Sequence, residues 1–225
     1  MRKILCVADI HGDIQGLLRM REFAASSNIG DAIILGDFSG HGAFKDRKQN
    51  EKDVKHILSI MSNFNLLAIP GNCDWKSVLK IFDKHEVNLH RKAIAVDDTV
   101  LIGLGGSNTT PFDTPLELTE DEIYKGLKPL LKKAGDKKVV LALHCPPKDT
   151  ACDMTGSGLH VGSSAVRQIV EEFQPSLVLC SHVHESAGKE DRIGKSRIVN
   201  IGPVSNERAG ILGIGERIHL KFEEI

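Results

Sequence analysis

Apolar positions in the first third of the chain fall into short unbroken runs, separated by longer amphipathic stretches. Residues 3–8 form one such run and stop at Asp9. Residues 31–35 form a second and stop at Gly36-Asp37. Residues 65–69 form a third and stop at Pro70-Gly71-Asn72. Between them, residues 14–25 place Leu17, Leu18, Arg21 and Phe23 on a rough 3.6-residue period, and residues 53–64 place Val54, Ile57, Leu58 and Met61 on one face. This β-α-β-α-β order predicts a largely parallel sheet.

The middle of the chain reads differently. Residues 87–104 hold two or three short β-rich runs with no helix between them, as a second sheet requires. Thr119 is placed to cap a helix reaching about residue 133, with Glu122 in the capping-box position. Residues 139–143 predict a strand stopping at His144, residues 163–173 a helix, and residues 177–180 a strand stopping at Ser181-His182. The tail from residue 197 to 222 returns to short strands. The fold class is therefore α/β: two packed sheets flanked by helices, in one domain spanning residues 1–225.

Composition narrows the function. The 29 Lys and Arg nearly balance the 30 Asp and Glu, so no strong long-range field draws in nucleic acid or an anionic membrane. No stretch approaches the roughly 20 apolar residues that span a bilayer. The N-terminal apolar run is too short for a signal peptide, and Asp9 interrupts it. The five cysteines include no CxxC pair, so reduced thiols and a cytoplasmic setting are expected. Homo-oligomerisation is left open.

Candidate chemistry sits where the strands stop. Asp9, Asp37, Asn72, His144 and His182 each follow a predicted strand directly, and ligands of open α/β sheets collect at the carboxyl ends of strands. His11 lies two residues after Asp9, and His184 two after His182. In extended backbone, residues i and i+2 face the same way, so each pair can offer two ligands to one centre. Imidazoles, carboxylates and one amide oxygen, without thiolate, suit manganese, iron, zinc, cobalt or nickel better than calcium or magnesium. Two carboxylates among seven ligands leave positive charge to attract an anionic substrate.

These residues carry a resemblance. Asp9-Ile10-His11, Gly36-Asp37, Gly71-Asn72-Cys73-Asp74, His144 and Ser181-His182-Val183-His184 occur in the order of the calcineurin-like metallophosphoesterase motifs, across residues 9–184 of 225. The chain resembles that superfamily, and within it a small phosphodiesterase-type branch with Cys in place of the motif histidine. The resemblance implies an α/β/β/α sandwich of two mixed sheets. It also implies two divalent transition metals per chain, manganese foremost, with iron, nickel, cobalt or zinc as alternatives. Asp9, His11 and His184 would hold one metal, and Asn72, His144 and His182 the other, with Asp37 bridging. Asp37, Asn72, Cys73 and His144 would form the catalytic core. The implied activity is attack by a metal-activated hydroxide on a small phosphodiester, or on a phosphomonoester.

Two positions depart from the family pattern. Ser181 replaces a glycine, with little consequence expected. Cys73 replaces the histidine assigned to the leaving group, which puts the acid step in question. Outside the pattern, Asn108 and His160 are weak substrate-contact candidates. His160 lies in a loop that could fold over the site. Gly105-Gly106-Ser107-Asn108 reads as a phosphate-cradling nest or, more often, a simple turn. His41, His85, His90 and His219 read as surface or packing residues. The alternative function is a non-catalytic scaffold of the same fold binding a protein partner, which would be expected to lose ligands; here all seven remain. A nuclease on long DNA would call for a basic groove or further domains.

Overall fold

The computed structural model describes residues 1–40 and 42–225, together with every side chain in that range except that of residue 43. His41 lies outside the described residues. In chain order the elements are β1 (Arg2–Val7), α1 (Ile14–Ser26), β2 (Asp31–Ile34), α2 (Arg47–Ile60), β3 (Asn65–Ala68), α3 (Val78–Lys84), β4 (Lys92–Val96), β5 (Thr99–Leu104), β6 (Ser107–Asn108), β7 (Glu117–Leu118), α4 (Glu120–Ala134), β8 (Lys138–Leu143), α5 (Ser164–Phe173), β9 (Leu177–Cys180), β10 (Glu190–Ile193), β11 (Ser196–Asn200), β12 (Arg208–Ile214) and β13 (His219–Glu224).

Two mixed sheets pack face to face. One runs β13-β12-β1-β2-β3, the other β10-β11-β9-β8-β5-β4, and β6 pairs with β7 beside them. β1, β2 and β3 are parallel, as the β-α-β-α-β pattern requires. The period-2 alternation of the strands sorts their side chains into layers. Leu5, Val7 and Ile34 face the helices α1, α2 and α3. Ile4, Cys6 and Ile33 face inward and meet Leu101, Val140 and Leu179 of the second sheet. Ile102, Leu141 and Val178 face α4 and α5. The result is the expected α/β/β/α sandwich, with the sheet–sheet core contributed by both halves of the chain.

Two local expectations need correction. The second helix begins at Arg47 and ends at Ile60, not at residues 53 and 64. Asp46 caps it by accepting from the Lys48 and Gln49 amides, and its first turn is too polar to show an apolar period. The helix α3 falls in a span where no element was expected; at seven residues it is too short for periodicity to reveal. The glycine-rich segment follows the commoner of its two readings, a bend between strands. The Gly105 amide donates to His90 Nδ1, the Gly106 amide to the Pro70 carbonyl, and the Ser107 amide to the Leu116 carbonyl. No helix among the described residues is long and apolar enough to cross a membrane. All five cysteines are free.

Candidate metal centre and active site

The seven predicted residues come together at one end of the sandwich, at the carboxyl ends of β1, β2, β3, β8 and β9. The backbone there is not extended. Asp9, His11, Asp37 and His182 adopt positive φ, at 44°, 44°, 53° and 68°. Asp9 and His11 therefore converge through left-handed turns rather than through the pleat that the i, i+2 spacing suggested. Such conformations cost about 1–3 kcal/mol each and persist where surrounding contacts impose them. The Asp9 amide donates to the Gly36 carbonyl and the His11 amide to the Asp37 carbonyl. Gly36 and Gly71 are required by crowding: a Cβ on Gly36 would strike the Gly71 backbone, and one on Gly71 would strike Asp37.

Asp74 fastens these loops. Its buried carboxylate accepts from the amides of Asp37 (2.9 Å), Phe38 (3.2 Å) and Gly71 (2.8 Å), and from Asn50 Nδ2 (2.9 Å). Burial and the neighbouring Asp37 charge push this carboxyl upward, while the donors from Asn50, Gly71 and Phe38 hold it down. Asn50, on the polar first turn of α2, also binds the Trp75 amide and Ser39. No pattern along the chain marks Asn50; one buried polar residue within RKQNEK resembles its solvated neighbours.

The imidazoles form two pairs. The His11 and His184 rings lie 5.1 Å apart, and so do those of His144 and His182. Asp37 sits between the pairs, with Oδ2 3.5 Å from His11 Nε2 and 3.6 Å from His144 Nε2. Asp9 Oδ2 lies 3.4 Å from His184 Nε2. Two sets, Asp9 with His11 and His184, and Asp9 with Asp37 and His144, each bring their ligand atoms within 4.8 Å of one another. His184 is raised by its hydrogen bond to Asp9. Burial, and then His144, lowers His182 to about 4, so it is neutral at pH 7. Burial works to raise Asp9, but the His184 hydrogen bond, the His144 and His184 charges and the Ser181 hydroxyl outweigh it and hold the carboxyl below its usual range. Ser181 therefore matters more than expected: its Oγ donates to Asp9 Oδ2, which a glycine could not do.

Proton bookkeeping tests whether cations fit. The Leu35 carbonyl can only accept, so His144 Nδ1, 2.7 Å away, carries a proton, and Nε2 is the ring nitrogen turned to the centre, 2.9 Å from Asn72 Oδ1. The amide is not free to turn. The Thr114 hydroxyl donates to Glu117 (2.6 Å) and accepts from Asn72 Nδ2 (3.0 Å), which leaves Oδ1 toward the histidines. Asn72 Oδ1 and Asp37 Oδ2 thus converge on His144 Nε2, and His182 Nδ1 lies 2.9 Å from the same amide oxygen. Asp9 Oδ1 is buried with no hydrogen-bond partner. Buried carboxylate and amide oxygens gathered with ring nitrogens, one oxygen of them unpartnered, form a donor set for cations, so the residues present fit a metal centre.

Cys73 lies beside this centre. Its amide donates to Asp37 Oδ1 (2.9 Å), and burial, reinforced by the Asp37 charge, keeps it a neutral thiol. The two weak candidates stand farther along. Asn108 Nδ2 donates to the Val161 carbonyl (3.2 Å), and His160 Nδ1 lies 2.6 Å from Asp153 Oδ1. Both line a cleft that His182 also borders. His90 is a packing residue, as expected, through its bond from the Gly105 amide.

The calcineurin-like phosphoesterase family model matches residues 2–186. The chain belongs to this family. An uncharacterised protein of Methanocaldococcus jannaschii is 32% identical over 207 residues, covering 90% of this chain and 89% of that protein. A "probable glycerophosphodiester phosphodiesterase" of Arcobacter nitrofigilis is 27% identical over 158 residues, 68% of this chain and 55% of its own length. Among solved structures, one from Thermus thermophilus superimposes with a TM-score of 0.75 at 19% identity, covering 99% of this chain and 98% of that one. A dimetal phosphatase from Danio rerio does so with a TM-score of 0.72 at 11% identity, covering 98% and 95%. At such identities these structures bear on the fold. Family membership makes the chain a metallophosphoesterase, a metal-binding hydrolase, and the motif resemblance is borne out.

Proposed function

We propose that the protein hydrolyses phosphodiester bonds of a small substrate at a dinuclear centre. Asp9, His11 and His184 would hold one divalent cation, Asn72, His144 and His182 the second, and Asp37 both. The observation that carries this reading is the convergence of Asn72 Oδ1, Asp37 Oδ2 and His144 Nε2 beside the buried, unpartnered Asp9 Oδ1. Bound there, two cations would polarise the phosphoryl oxygens and bring the pKa of water from about 16 toward about 7.

The chain's own groups would do the rest. Asp9 stays ionised and His182 neutral at pH 7, the states in which they ligate. The fixed Asn72 amide orients its oxygen without needing to turn. The Cys73 thiol, neutral and on the wall of the cup that Asp37 and Asn72 also line, is placed to donate a proton toward a departing oxygen. Preference for diesters over monoesters is supported by the 27% identical Arcobacter relative. Residues 1–225 are proposed to act as one domain, supported by the shared sheet–sheet core. A cytoplasmic setting is proposed on the five free cysteines.

A metal-supplemented screen of diesters and monoesters, nucleotides included, tests the activity. Manganese is expected to support hydrolysis of a diester above that of the matching monoester. Turnover unaffected by chelation, or none with any metal, would overturn the proposal.

A further inference from the structure

A second cleft opens beside the metal cup. The cup is about 300 Å³ and the cleft about 490 Å³, and Phe112 and His182 line both. A phosphoryl group in the cup is thus within covalent reach of a group in the cleft, whose size is that of a small organic ligand. Four large hydrophobic side chains are exposed among the described residues. One is the N-terminal Met1. The other three, Phe112, Leu159 and Val161, lie on the two loops that border this cleft. Phe112 is the most exposed of the three, at 73%.

The loop beneath Phe112 is built, not slack. Glu117 accepts from the Thr110 and Thr114 amides at 3.1 and 3.0 Å and from both threonine hydroxyls. The Phe112 amide donates to Thr110 Oγ1 (3.2 Å). Through Thr114 the same network reaches Asn72. An aromatic ring is therefore held in water on a fixed support tied to the metal centre.

We propose that this cleft receives the organic part of the substrate, and that Phe112 is a specificity-determining residue stacking on a flat aromatic group, as a nucleobase or an aryl ring provides. The proposal rests on reading the adjacent cup as a phosphoester site. The rim selects the class of group. Asn108, whose buried Oδ1 has no hydrogen-bond partner, and Lys148 border the cleft with polar side chains. A heterocycle can lay its face on Phe112 and its polar edge toward these. An alkyl chain would offer them no partner.

Calorimetry on the metal-loaded protein, with phosphonates whose C–P bond resists hydrolysis, tests this. One arm compares phenylphosphonate with methylphosphonate; the other compares the phosphonate analogues of adenosine monophosphate and ribose 5-phosphate. In each arm the ring-bearing ligand should bind about tenfold more tightly, within the range for one base on an aromatic side chain. The arm with the larger preference identifies the kind of ring. Phe112→Ala should erase most of that preference, and Phe112→Trp should retain it. Methylphosphonate binding without ring preference, or a preference that survives Phe112→Ala, overturns this proposal alone. Failure of every phosphonate to bind also overturns it, while the phosphoester reading stands or falls separately, on diester hydrolysis in the metal-supplemented screen.

Discussion

At Asn72 the side-chain amide could face the histidines with either its oxygen or its nitrogen, and the hydroxyl of Thr114 selects the oxygen. Thr114→Val keeps the shape and removes the selector. Metal affinity should fall by about 10–100-fold, as for other groups that orient a ligand, with the circular dichroism spectrum unchanged; a titration with unaltered affinity would show that the amide is oriented otherwise. Cys73 concerns the leaving group. A neutral thiol can give a proton but carries no positive charge, so wild type should discriminate steeply by leaving-group pKa. Cys73→His should accelerate alkyl esters by about tenfold or more, within the range of general acid help, and nitrophenyl esters far less. Parallel Brønsted slopes for the two proteins would make Cys73 a packing residue. His90 bears on stability. Burial lowers it from 6.5 to about 4, so between those values the unfolded chain binds the proton more tightly. Its stabilisation is present in full above pH 6.5 and is lost as pH falls toward 4, amounting to at most about 3 kcal/mol. Urea midpoints at pH 7.5 and 4.5 should therefore separate wild type from His90→Gln at the higher pH and bring them together at the lower. A constant gap would contradict the assignment.

The elements most legible in the sequence were the buried strands, because their apolar runs are unbroken and stop at a polar residue. β1, β2, β8 and β9 lie where those runs predicted, and five of the seven candidate ligands follow directly from where the runs end. The helices were less legible wherever burial was slight. The first turn of α2 carries Asn50, which no period marks, yet Asn50 and Asp74 clamp the loops that present Asp37 and Asn72. The left-handed turns at Asp9, His11, Asp37 and His182 were equally hidden. A two-residue spacing is consistent with a pleat or with a turn, and only the contacts across β1, β2 and β9 decide between them. The glycines at 36 and 71 could have signalled crowding, but not which backbone came close.

At the scale of the whole molecule, residues nearly 175 apart meet. The Ser181 hydroxyl holds Asp9 across a sequence separation of 172, and His182 reaches Asn72 across 110. Packing of the two sheets brings their carboxyl ends together, so the metal centre belongs to the sandwich rather than to any one motif. The His11–His184 pair spans the two sheets, the His144–His182 pair lies at the end of the second, and Asp37 comes from the first to sit between them. The central claim is that two cations work there together. It is tested most directly by adding manganese in known amounts to metal-free protein while following hydrolysis of a diester. Activity is predicted to reach its plateau at about two equivalents per chain, the stoichiometry of a two-metal site. A plateau at one equivalent, or full activity before any metal is added, would contradict it.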